Sequence, residues 1–167
     1  MKHKSIPFAV LLERFPEVEL PITLTTDTHH LFSTQNKPLT EAMVERFLRA
    51  PDDDVDEFTE FIACFRLPVA EHYQALVYWK ASLMQYEYIL TTFDLKGRFI
   101  TRHTIAGMKS NGESILKRIA TIDDEGVILV AEGVAPINDD QYEASKSHTF
   151  QLEISPTGDI LQSLSEN

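Results

Sequence analysis

From Tyr86 to Ile105, apolar and polar residues alternate with a period of two on both sides of Asp94-Leu95-Lys96-Gly97. This is the pattern of two antiparallel strands joined by a tight turn. The same turn signature (apolar, acid or hydroxyl, two variable residues, Gly, apolar) returns at Ile122 to Ile128 and at Ile154 to Ile160. The glycines stand where such a turn needs a positive φ, and Asp94 or Asp123 can accept hydrogen bonds from the backbone ahead of it. Extending the reading along the chain predicts strands near 58–67, 74–82, 86–94, 97–106, 115–123, 126–133, 146–155 and 158–164. The first of these fits two periods. Phe58, Phe61, Ile62 and Phe65 have helical spacing, whereas Phe61, Ala63 and Phe65 alternate, and the β-forming context that follows favours a strand. Short links predict antiparallel pairing between neighbours. The expected fold class is therefore mainly β (α+β): a seven- to eight-stranded antiparallel meander, either a closed barrel or two packed sheets. Propeller blades fit less well, because a four-stranded blade takes roughly 40–45 residues.

The N-terminal third carries a different pattern. Phe8 to Arg14 can form one helical turn before Pro16, and Glu19 to Thr26 reads as extended, with Pro21 demoting it to an edge strand or arm. The polar stretch from Thr28 to Asn36 reads as loop. A short helix is predicted near 40–50, capped by Thr40, with Met43, Val44, Phe47 and Leu48 on one stripe and Pro51 at its end. Residues 52–60 hold six acids and no base, the composition of a solvated loop. A single domain, 1–167, is expected, in which the arm, helix and acidic loop of 1–57 pack on a meander spanning 58–167.

Composition narrows the function classes. A chain of 167 residues with 43% apolar and 25% charged residues can bury a core without staples. The formal charge of −11 disfavours nucleic acid and anionic membrane surfaces and points instead to a basic protein partner. Only one cysteine is present, and no run approaches the roughly 20 apolar residues of a membrane span. The N-terminal apolar run is shorter than the roughly 7–15 residues of a signal peptide, so the expected location is cytoplasmic. Open meanders have exposed edges, which makes a homodimer through an edge strand an expectation as well.

No catalytic, cofactor or metal motif emerges. Asp52, Asp54 and Asp56 match the first ligand positions of a calcium loop, but Glu57 stands where Gly is needed and Ala63 where a bidentate acid is needed. Asp27, His29 and His30 lack further ligands at a defined spacing, and Cys64 lies between Ala63 and Phe65, a setting for an inert buried thiol. Residues 96–118 are basic, and Arg98 and Arg102, two strand periods apart, are expected on one face with Thr104, where guanidinium groups could grip a carboxylate or phosphate. Tyr78, one residue out of phase with Trp79, is expected on the opposite face from the core. The candidate partner surface thus comprises Asp52, Asp53, Asp54, Asp56, Tyr78, Arg98 and Arg102. The expected function is a noncatalytic, soluble protein-binding module with an acidic surface, such as an inhibitor or immunity-type protein. The alternative is a small ligand-binding protein or enzyme with a pocket at one end of the sheet or barrel, served by Arg98, Arg102, His103 or His148.

Overall fold

The computed structural model describes residues 6–51, 55–136 and 147–164. Nine strands form one antiparallel sheet that does not close into a barrel. Eight of them follow the chain as a meander: β2 (Glu60–Arg66), β3 (Tyr73–Ser82), β4 (Gln85–Asp94), β5 (Phe99–Ser110), β6 (Ser114–Ile122), β7 (Ile128–Pro136), β8 (His148–Ile154) and β9 (Ile160–Leu164). The ninth, β1 (Ile22–Leu24), lies off this path beside β6. It occupies the predicted extended arm.

The sheet bends at β5. Its register with β4 slips twice, between Tyr88 and Ile89 and between Thr92 and Phe93, so that Ile105 and Ile100 are extra residues on β5. Such bulges bend a strand and raise its twist. As a result β5 pairs with β6 only over Gly107–Ser110, and β6 then separates from it. β1 fills the edge this separation exposes, pairing Ile22 with Ile122 and Leu24 with Ala120.

The two halves of the sheet, β2–β5 and β6–β9 with β1, face each other across the main core. Phe65, Val77, Trp79, Tyr88, Leu90 and Ile105 from the first half meet Ala120, Ile122, Ile128, Val130, Phe150 and Leu152 from the second. Closure at one end is tight. In the β8–β9 turn Gly158 has φ +96°, and a Cβ there would lie 2.7 Å from Ile100 Cδ1. The hydroxyl of Thr92 donates to the Gly158 carbonyl across the same gap, at 2.7 Å.

A second core covers the outer face of the first half. Helix α1 (Phe8–Leu12) and the 40–50 segment supply Leu11, Met43, Phe47 and Leu48, which pack on Leu76, Tyr78, Ile89 and Phe93. The predicted helix is there, and Thr40 caps it by accepting from the Met43 amide at 3.2 Å. Only Glu41–Met43 (α3) is α-helical; the chain passes directly into a π-helical turn, Val44–Leu48, which turns Phe47 and Leu48 together into the core.

The stretch read as loop at 28–36 is instead a helix, α2 (Thr28–Gln35). Its residues are poor helix formers, and tertiary contacts hold it. Phe32 packs on Phe65 with ring centroids 5.6 Å apart, and Asn36 donates its amide to the carbonyls of both Ala63 and Cys64 on β2. This contact and the Arg66 amide bonded to the Pro16 carbonyl protect the edge of β2. The outer face of β6–β9 has no such cover among the described residues. Its alternate positions expose Ile119, Leu129 and Leu161 at 36%, 47% and 57%.

Candidate acidic cleft

At the end of the molecule that holds the β2–β3 and β6–β7 connections, the two sheet halves leave a cleft of about 500 Å³. Local chemistry shapes each wall. In the β6–β7 turn the Asp123 carboxylate accepts from the amides of Glu125 and Val127, both at 2.9 Å, and Gly126 takes φ +85°. Asp123 is consumed by the turn, so Asp124 and Glu125 project, exposed, with no carboxylate partner among the described residues. The facing wall is the β2–β3 connection, where the side-chain amide of the buried Gln74 donates to the Leu67 carbonyl at 3.0 Å. That bond holds Leu67, Pro68 and Tyr73 against the opening. Glu153 and Ile154 at the end of β8, with Leu20 from the arm before β1, complete the lining.

The cleft is thus apolar inside and anionic at the rim. Leu20, Leu67, Tyr73, Val127 and Ile154 make the apolar surface, and Asp124 and Glu125 supply carboxylates. Glu153 borders it while its own carboxylate accepts from the Gln151 side chain on the outer side of the sheet, and no Lys, Arg or His of the described residues lines it. Burial raises the pKa of the Tyr73 phenol, which keeps it a neutral donor.

Those predicted surface residues that are described, Asp56, Tyr78, Arg98 and Arg102, converge neither there nor on one another. Asp52, Asp53 and Asp54 lie outside the described residues. Asp56 is exposed at the opposite end of β2 from the cleft, and its carboxylate accepts from the Phe58 amide at 2.8 Å and the Thr59 hydroxyl at 3.2 Å. Tyr78 does face away from Trp79, but that face is covered. It is 1% exposed, and its hydroxyl donates to the Leu48 carbonyl at 3.1 Å, so it presents nothing to a partner.

Arg98 and Arg102 do not form a pair. Arg98 precedes β5 and its Nε bonds the Asp94 carboxylate at 2.7 Å. The amides and guanidinium of the turn hold the Asp94 carboxyl below its usual range, the Arg98 backbone N–H contributing most. Because Ile100 is an extra residue, strict alternation fails across it, and Arg102 shares a face with Phe99. Its guanidinium carbon stands 4.7 Å from the Phe99 ring centroid while Nη1 donates to the Leu48 carbonyl at 2.8 Å.

His103 and His148 lie apart from both arginines and from the cleft, and the Glu132 carboxylate that His148 approaches is already bonded by Arg118 Nε. His103 bonds the neighbouring Thr104 carbonyl at 2.9 Å, and His148 lies 3.4 Å from Glu132 at the opposite end of β7 and β8 from the cleft turn. Among the described residues, no three His, Cys, Asp or Glu side chains are grouped to hold a metal ion. Cys64 is fully buried, and burial pushes its thiol well above the ordinary value. No helix of the described residues is long and apolar enough to cross a membrane.

Sequence reasoning found the turn at 122–128 but not the cleft. Asp124-Glu125 beside a turn-capping Asp123 was an available signal for outward carboxylates. Their meeting with Tyr73, Ile154 and Leu20 depends on contacts far apart in the chain. Comparison with protein families, curated proteins and solved structures finds no match to this chain.

Proposed function

We propose that the protein is a noncatalytic binding module whose end cleft receives a basic, partly apolar segment of a protein partner. The observation that carries this reading is the lining: two exposed carboxylates, Asp124 and Glu125, at the mouth of an apolar interior, with no base among the described lining residues. A lysine or arginine side chain matches such a site, since its aliphatic stem packs on Leu67 and Ile154 while its cation stays at the wet rim. Rim charges of this kind act mainly through encounter rate and salt dependence, while the apolar contacts hold the complex. The net charge of −11 adds long-range attraction for a basic partner. A pocket gathering Arg98, Arg102, His103 and His148 has no support in their dispersed placement.

The test uses two short peptides, one alternating Lys with Leu and one alternating Glu with Leu, titrated into the isotope-labelled protein. Amide shifts are expected for the Lys peptide alone, confined to 67–73, 124–127 and 153–154. The double variant Asp124→Asn/Glu125→Gln should weaken that binding by roughly three- to thirtyfold at low salt, and less at high salt. Shifts scattered over the surface, or an unchanged affinity in the double variant, reject the reading.

A further inference from the structure

We infer that the outer face of β6–β9 is the contact surface of a homodimer formed face to face. One half of the sheet has its outer face sealed by α1 and the 40–50 segment, but the other half leaves Ile119, Leu129 and Leu161 at 36%, 47% and 57% exposure with Ala131 between them. These positions share one face. Thr121 pairs with Leu129 and Leu129 with Gln151, while Ile119 pairs with Ala131, in registers without a slip. The middle of this face therefore carries no charge, in a chain whose net charge is −11.

That combination selects a second copy over other occupants. A two-fold interface sets each patch against itself, so charges near the axis meet their own kind. Two strongly acidic copies can approach closely only through a neutral face, and interface centres are depleted in charge. The borders add complementarity. Lys117, exposed, continues the row of Ile119 and Thr121 at one corner, and Glu153, exposed, paired with Leu161 and accepting from the Gln151 side-chain amide at 2.9 Å, continues the row of Gln151 toward the opposite corner. A two-fold axis lying in the plane of the face between those corners brings each Lys117 to the partner copy's Glu153. The pairing occurs twice.

The patch is small by the standard of stable interfaces, which bury about 800 Å² per partner, so a reversible, concentration-dependent dimer is the expectation. Sedimentation equilibrium of the full chain, over roughly 1–500 μM, is the measurement. Leu129→Asp places a charge at the centre and should abolish dimerisation while leaving the amide spectrum of the monomer fold in place. Lys117→Glu and Glu153→Lys should each raise the dissociation constant about fivefold or more, and the double reversal should restore it. The cleft variant Asp124→Asn/Glu125→Gln should not change it, which separates this inference from the binding reading. Three results overturn it: a monomer at every concentration, a dimer that survives Leu129→Asp, as pairing through the edge of β9 would, or a double reversal that fails to restore association.

Discussion

The imidazole of His29 lies parallel to the Trp79 indole, with centroids 4.2 Å apart and planes 1° apart, and its Nδ1 is buried without a hydrogen-bond partner among the described residues. Burial lowers its pKa first and the neighbouring His30 second, against opposing pulls from the Thr26 backbone, Glu60 and Asp27. A histidine whose folded pKa is depressed binds protons more readily in the unfolded chain. Its contribution is intact above the usual value of 6.5 and is lost as pH falls through that value toward the folded pKa. The melting temperature should therefore drop between about pH 7.5 and 5.5, and His29→Gln should flatten the profile over that window. An unchanged slope in the variant would show that the stacked ring stays neutral at little cost. No local pattern announced this contact, since adjacent histidines in a polar run carry no mark of which ring will find an indole. Tyr78 and Arg102 show the opposite situation: alternation placed Tyr78 on the correct side of its strand, but neither the helical cover above it nor the extra residue Ile100 leaves a trace in a period-two count.

At the level of elements, what could be read was what is made locally. Each hairpin is written by its own alternation and by a turn acid and glycine a few residues apart, so Asp94 with Gly97 and Asp123 with Gly126 were sufficient. Helix α2 was not legible, because Thr28–Gln35 owes its helicity to groups elsewhere in the chain. The Tyr88 hydroxyl accepts from the His29 amide and donates to the Thr25 carbonyl, both at 2.8 Å, pinning the first turn, while Asn36 pins the end. Asn36→Ala leaves the Ala63 and Cys64 carbonyls without that donor and should cost about 1–3 kcal/mol in urea unfolding. If α2 loosens as a unit, Trp79 emission should shift to the red in the folded baseline; an unshifted spectrum would confine the effect to the helix end. Protection of the β2 edge depends on the same residue, so aggregation should rise in parallel.

Across the whole molecule, the meander was visible and its bending was not. Counting strands gave the class; the two slips in β5 decide that the sheet folds over on itself without closing, and they follow from packing of Ile100 and Ile105. The cleft and the bare face of β6–β9 are both products of that bend. Neither is encoded in any one stretch of sequence, although the charge balance that gives them meaning is. An acidic chain with a neutral face and an anionic, apolar-lined cleft has two surfaces that meet at Glu153, while Asp124 and Glu125 belong to the cleft alone and Leu129 to the face alone.

The placement of β1 beside β6 has a consequence for the order in which the chain assembles. Thr23 and Thr121 share a hydrogen bond at 3.0 Å across 98 positions of sequence, whereas the hairpins β3–β4 and β4–β5 form between immediate neighbours. Loop closure over that distance is entropically costly until other contacts have shortened it. β1 must wait for a strand made about 90 positions later, and for the bend that opens the slot. Pulse-labelled hydrogen exchange during refolding should therefore protect the β3–β5 amides first and those of Ile22–Leu24 in the last phase; simultaneous protection would mean that the bend and its filling form in one step. During synthesis the early arm stays unpaired while the first hairpins emerge, leaving the first strand of the chain as the last to be seated.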